Sequence, residues 1–232
     1  MIILKIIPIK RTFVSILFFV LTICSYGQNE NRFPIWTFHE ENVNIHGISV
    51  GLWSTIISER NTNTNGIRLE VIGLGILVPM IPDFPTFEEQ RSERINGLNL
   101  SALGTVCDCL TNGLSIGAGG QINYQVNGIS ATIFGNVTQK HNGIMVALFA
   151  NWSDTMNGLQ LGVINNNNSE ANGVQIGAAN DSEKMGGLQI GLFNKSKSFR
   201  GIQIGIWNVN QKRKLPLINW NFKRTTEEET KH

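Results

Sequence analysis

A glycine recurs along this chain at nearly constant spacing, and aliphatic residues follow it each time at the first, third and fifth positions. The last eight of these glycines are 14 to 16 residues apart. The ten are Gly47, Gly66, Gly97, Gly113, Gly128, Gly143, Gly158, Gly173, Gly187 and Gly201. Alternation with a period of two indicates β-strands, and a constant sequence period indicates repeated structural units. The chain is therefore predicted to be an all-β repeat protein.

The spacing favours a β-solenoid of about ten coils of 14–16 residues. The alternative is an antiparallel up-and-down sheet or an outer-membrane β-barrel, in which short turns alternate with long loops. Here each unit resembles its immediate neighbour, as coils related by one translation and rotation do. The barrel stays open as the alternative because Pro216, Ile218, Trp220 and Phe222 alternate in a last strand that ends in an aromatic residue.

Each unit is expected to contain one strand of about seven residues and one turn of about seven. An Asn follows each strand, and side chains stacked about 4.8 Å apart can hydrogen-bond to one another along the solenoid as a ladder. These residues are Asn136, Asn151, Asn165, Asn180, Asn194 and Asn208. The sequence therefore predicts an Asn ladder at one corner of the coils.

The aliphatic triplets are expected to point inward and form the core, because no charged residue interrupts them. The opposite side of the same strands, which carries Gln160, Gln175, Gln189 and Gln203, is then expected to face solvent. On this interpretation Ile190→Asp destabilises the fold severely and Gln189→Lys has a mild effect.

The N-terminal residues have the organisation of a signal peptide. Lys5, Lys10 and Arg11 precede an apolar run over residues 13–24, and small residues surround an expected cleavage site after Gly27. Export is therefore predicted. The complete division is a signal peptide at 1–27, an N-terminal cap at 28–46, a β-repeat domain at 47–208, a C-terminal cap strand at 209–222 and a charged tail at 223–232.

The period is broken once, between Gly66 and Gly97. The strand that starts at Ile67 is expected to run on to Val78, and a Pro-rich insertion to occupy residues 79–95. Insertions in repeat arrays usually lie on one face and often bind partners. The candidate interaction loop consists of Met80, Ile81, Phe84 and Phe87. The alternative interpretation is an apolar lid folded over the core.

The composition argues against several kinds of chemistry. The 232-residue chain carries a net charge of +2 and only 16% charged residues, so there is no basic stripe for nucleic acid. No phosphate-binding loop, His-Glu-x-x-His motif or alternating pair of acids is present. We assign no catalytic, cofactor-binding or metal-binding residue. Cys107 and Cys109 are expected to be free thiols or to form a labile bond, since a metal site would need further ligands.

The units Gly-Leu-Gln-Ile-Gly-Leu-Phe-Asn at 187–194 and Gly-Ile-Gln-Ile-Gly-Ile-Trp-Asn at 201–208, with the closing segment 211–222, resemble a family of exported bacterial surface-repeat proteins. The resemblance covers roughly residues 44–222. It implies export and a cell-envelope location, and it assigns no site residues. The expected function is a non-enzymatic envelope or surface protein with a structural or binding role, partner unknown. The alternatives are a small outer-membrane barrel and a solenoid enzyme acting on polysaccharide.

Overall fold

The computed structural model describes residues 29–56, 60–81 and 93–223. The expected signal peptide, Phe84, Phe87 and most of the charged tail lie outside these residues. The strands are β1 (Glu30–Arg32), β2 (Ile35–Thr37), β3 (Val43–Gly51), β4 (Thr62–Glu70), β5 (Glu93–Ser101), β6 (Leu110–Gly117), β7 (Gln121–Thr132), β8 (Gly135–Ala147), β9 (Ala150–Leu161), β10 (Ile164–Ile176), β11 (Ala179–Ile190), β12 (Phe193–Val209) and β13 (Lys214–Asn221).

The strands stack as the coils of a β-solenoid of about 11 turns, which confirms the predicted fold class. From β3 to β12, each strand pairs in parallel with the next one in sequence. The pairing aligns the repeat glycines with one another, as Gly158 with Gly173 and Gly173 with Gly187. The antiparallel sheet or barrel is therefore wrong, because it would require successive repeats to run in opposite directions.

The strands are longer than the sequence suggested. β7 to β12 are 12 to 17 residues long. Each contains the polar residues that precede its repeat glycine, here called the polar half of the unit, as well as the aliphatic residues that follow it. The expected seven-residue turn is therefore wrong for these coils. Backbone groups of the polar half bond to the neighbouring coils in register, and this pairing does not depend on the side chains. The residues before and after each repeat glycine therefore belong to one continuous 13-stranded sheet.

The interior is the reverse of the one predicted. Gln160, Gln175, Gln189 and Gln203 are fully or almost fully buried, whereas the aliphatic triplets project outward. The buried amides bond along the solenoid axis: Gln175 Nε2 donates to Gln160 Oε1 (2.9 Å), and Gln189 Nε2 donates to Gln175 Oε1 (2.6 Å). Buried polar groups are tolerated when they are hydrogen-bonded, and the axial repeat supplies each amide with a partner one coil away.

The predicted Asn ladder is confirmed, and it lies inside the solenoid. Asn151 Nδ2 donates to Asn165 Oδ1 (2.9 Å), Asn165 to Asn180 (2.8 Å) and Asn180 to Asn194 (2.8 Å). The same amide nitrogens donate to backbone carbonyls across the coil, as Asn180 does to Ile190 (3.0 Å). The Asn must point inward to reach that carbonyl. Gln189, between the triplet residues Leu188 and Ile190, is buried as well, so strand alternation places the triplet on the outer side.

Both ends of the solenoid are covered. At the N-terminal end the Phe38 ring is buried, and the Arg68 guanidinium lies 3.9 Å from its centroid. At the C-terminal end β13 pairs antiparallel with β12. Asn221 Nδ2, a buried amide of β13, donates to the carbonyl of Phe199 (2.7 Å). Polar contacts thus close the last coil.

The long strand expected from Ile67 to Val78 is wrong. β4 ends at Glu70, and Gly75–Met80 form a 3₁₀ helix that contains Pro79. The chain leaves the coil here because it packs closely on later coils: a Cβ at Gly75 would lie 1.9 Å from the carbonyl oxygen of Gly120. Helix geometry at this point also accommodates the proline, which a central strand does not.

The buried histidine of β8 provides a test of the interior by pH. His141 is fully buried, Ser130 Oγ lies 3.0 Å from its Nε2, and desolvation lowers its pKa from 6.5 to about 4. The His141 ring therefore takes up a proton near pH 6.5 in the unfolded chain, whereas in the folded chain it stays neutral down to about pH 4. The stability due to the neutral ring is complete above pH 6.5 and is lost as the pH falls toward 4. We expect the free energy of unfolding to fall by about 3 kcal/mol over this window.

Urea unfolding at several pH values measures this loss. The matched control is His141→Met, which places at this position the residue type found at Met156 in the next coil. The control should lose much of the slope between pH 6.5 and 4. A variant whose pH profile coincides with that of the natural chain would contradict the assignment to His141.

Candidate interaction surface

Ten coils present an aliphatic side chain at the first, third and fifth positions after the repeat glycine, and the structure places these side chains on one outer side. We call this surface the triplet face. Its rows begin at Ile48, Val50 and Leu52 and end at Ile202, Ile204 and Ile206. All 30 residues are Ile, Leu, Val or Ala. The face is therefore a continuous apolar surface on the outside of the molecule.

The fifth-position row projects furthest from the face. Leu148 is 65% exposed, Leu192 49% and Ile206 60%. Beside this row, between the third and fifth positions of the last coils, lies an open apolar depression of about 710 Å³. Gly177, Gly191 and Gly205 line it together with the neighbouring Ile and Leu side chains. The face thus has a ridge next to a groove, both parallel to the solenoid axis.

The two borders of the triplet face differ from its middle. Along one border the sixth position after the glycine carries an aromatic side chain in five coils, at Trp53, Phe134, Phe149, Phe193 and Trp207. The Phe134 and Phe149 rings are stacked with centroids 6.0 Å apart. Along the other border an outer Asn ladder precedes the glycines, as Asn142 Nδ2 donates to Asn127 Oδ1 (2.8 Å). The aromatic row carries no charge, and the row before the glycines carries Arg200 in the last coil.

The opposite outer side of the solenoid is polar. Lys195 Nζ lies 3.0 Å from Asp181 Oδ2, and Lys197 is paired with Glu183 one coil away. These pairs are exposed and contribute little to stability. The molecule therefore has an apolar and a polar side, of which the apolar side is unusual for the outside of a soluble protein.

The candidate interaction loop is only partly described. Met80 is 77% exposed at the end of the 3₁₀ helix, while Ile81 packs against the buried cluster of Val78, Val106, Ile122 and Val137. The described part of the loop therefore has one exposed residue and one anchored residue. Phe84 and Phe87 lie outside the described residues, so of these four only Met80 and Ile81 are placed.

A buried charge cluster lies inside the N-terminal coils, which the sequence did not predict. Arg68 Nε donates to Glu93 Oε1 (2.6 Å), and Arg68 Nη1 lies 3.7 Å from Glu70 Oε2. Glu70 also accepts from Ser54 Oγ (2.6 Å) and Thr105 Oγ1 (2.8 Å). Burial lowers the pKa of Arg68, but the two carboxylates outweigh burial and raise it.

The contacts of this cluster are those of a structural ion pair. Glu70, Glu93 and Arg68 are almost completely buried and hydrogen-bonded, and Arg60 Nη2 lies 3.8 Å from Glu93. Glu93 begins β5, within the last residues of the expected insertion, so its pairing with Arg68 fixes the point where the chain re-enters the solenoid. Breaking one partner of such a pair leaves an uncompensated buried charge. Within the described ranges, no group of three His, Cys, Asp or Glu side chains could hold a metal ion.

Cys107 and Cys109 form a disulfide, so of the two alternatives, free thiols or a bond, the free thiols are wrong. Their Cα atoms are 5.2 Å apart, whereas alternate residues of an extended strand would be about 6.6 Å apart. The chain is bent between β5 and β6 rather than extended, and this shortens the separation. Both cysteines are buried and pack with Ile95, so the bond belongs to the interior.

No family model, curated protein or solved structure matches this chain. Over the part of the chain that the structure describes, no helix is both long and apolar enough to cross a membrane.

Proposed function

We propose that this protein is a non-enzymatic, exported repeat protein of the cell envelope or cell surface that acts by association through its triplet face. The observation that carries the proposal is the outward orientation of all three aliphatic rows on a regular parallel solenoid. A contiguous apolar surface of this length marks an interaction site, because leaving it in water is unfavourable. The solenoid coils hold the rows in fixed positions, so little ordering is needed on binding.

Two further arguments support the location and the non-enzymatic role. The n-region, apolar run and small residues before Gln28 are typical of export signals, and the repeat resembles exported surface proteins. The buried carboxylates Glu70 and Glu93 are already bonded to an arginine or to hydroxyl groups. They are therefore not available as acid and base for a sugar substrate.

The test places a photo-crosslinking amino acid, p-benzoylphenylalanine, at Leu192 of the full chain in the cells that produce it. We expect the mature N-terminus at or within a few residues of Gln28, and ultraviolet-dependent crosslinks from Leu192 in the envelope fraction. The matched control carries the same amino acid at Asn168, an exposed position on the polar side, and should give no such product. An intact Met1 in the envelope fraction would end the export proposal. Equal crosslinking at both positions would end the proposal for the triplet face.

A further inference from the structure

We propose that the triplet face is covered by the triplet face of a second copy of this chain, in a face-to-face dimer. This inference rests on the proposed function and identifies the partner. Ten coils are separated by nine steps of about 4.8 Å, so the triplet face is about 43 Å long. The five strand residues from the first to the fifth position make it about 16 Å broad, and its area is therefore on the order of 700 Å². Stable specific interfaces bury about 800 Å² on each partner. The triplet face, extended by its aromatic border, has this size.

The shape of the face also matches a copy of itself. Its side chains repeat along the solenoid axis at the strand spacing, so two such faces have the same periodicity. Sheets that pack face to face lie about 10 Å apart with interdigitated side chains. The row of Leu148, Leu192 and Ile206 forms a ridge, and the depression beside it is lined by Ile176, Ile190 and Ile204. In a two-fold arrangement each copy contributes both ridge and groove.

The chemistry of the borders favours a second copy over other occupants. A polysaccharide would need hydrogen-bonding side chains, and the 30 positions of the face contain none. An anionic lipid surface would be held by basic residues beside the apolar area. Instead Arg200 is the one Lys or Arg residue in the row before the glycines, and Lys195, two residues beyond Phe193, is already paired with Asp181. The 30 positions of the apolar area carry no charge, so identical faces do not repel each other across it.

Sedimentation equilibrium of the full chain tests the inference. The natural protein should sediment at twice the mass of one chain, which is 25.7 kDa with residues 1–27 included. Leu148→Lys/Leu192→Lys should dissociate to monomers, with the dissociation constant raised by at least about 100-fold, because four ammonium groups would enter an apolar interface. The matched control Asn168→Lys/Ser169→Lys adds the same charge at exposed positions of the polar side and should remain dimeric.

Thermal melts of each variant confirm that it is folded. If the double variant does not fold, Ile206→Lys, a single change in the same row, replaces it in the test. A natural chain that stays monomeric, or a dimer that both face variants leave intact, overturns the inference. Binding to phosphatidylglycerol–phosphatidylcholine vesicles tests the alternative occupant, an anionic lipid surface. A monomer that binds vesicles through the triplet face overturns the dimer and leaves the proposed function standing, whereas failure of the crosslinking at Leu192 removes both.

Discussion

Gln189→Lys is expected to destabilise the solenoid by about 3–5 kcal/mol, because it buries an ammonium group without a counter-charge. Gln189 is fully buried, donates to Gln175 Oε1 and accepts from Gln203 Nε2 (2.8 Å). A lysine can donate but cannot accept, so it also leaves the amide of Gln203 without its partner one coil away. Thermal or urea unfolding followed by far-ultraviolet circular dichroism measures the loss.

The matched control is Ile190→Lys, at the adjacent position of the same strand. Ile190 lies on the triplet face and is only partly buried, so its lysine can extend into solvent and the monomer should lose no more than about 1 kcal/mol. The comparison is made at a concentration where both variants are monomeric, so that dissociation of the dimer does not contribute to the measured loss of stability. A larger loss for Ile190→Lys than for Gln189→Lys would mean that the aliphatic rows are the core.

Gly187→Ala is expected to cost several kcal/mol and to disrupt the stacking of β11 on β10. Gly187 has φ of +134°, and a Cβ there would lie 2.0 Å from the carbonyl oxygen of Gly173. The obstructing atom is backbone, which cannot move without breaking the parallel hydrogen bonds of two coils. The left-handed backbone conformation adds a steric cost for any residue with a Cβ. Unfolding in urea measures the loss.

Gly186→Ala, one residue earlier, is the control for the general effect of replacing a glycine. A Cβ at Gly186 meets only the Asn172 side chain, whose Oδ1 lies 2.7 Å away and can rotate. The preceding coils carry Asn172 and Asn157 at this register position, so side chains are accommodated there. The change should stay within about 1 kcal/mol of the natural protein. Equal losses at Gly186 and Gly187 would refute the importance of the close glycine contact.

The sequence determined the strand period, the parallel stacking and the Asn ladder. It did not determine which side of the strand is inside. A period of two places Ile190 and Gln189 on opposite sides of the strand, but it does not say which side is buried. The usual preference for burying aliphatic residues predicted that Ile190 is inside, which is wrong. The deciding interactions join residues about one period apart, such as Gln175 and Gln189. They become visible only when the register between coils is known.

The site was predictable to different degrees. The three aliphatic rows were evident from the sequence, and only their assignment to the core was wrong. The buried charge cluster was not predictable, because Arg68 and Glu93 are separated by the insertion and meet only after β4 pairs with β5. The sequence left open whether Cys107 and Cys109 are free thiols or bonded, because the bend between β5 and β6 does not follow from a strand pattern.

The reversal of chain direction at β13 has a consequence for how large an assembly can become. A solenoid with an open parallel end could accept the first coil of another molecule in register and grow into a filament. β13 runs antiparallel on β12, and its inward Asn219 and Asn221 are buried over the last coil. It therefore interrupts the parallel register at this end. Association is then directed sideways, through the triplet face, whose length is set by the number of coils, and this favours closed pairs over fibres.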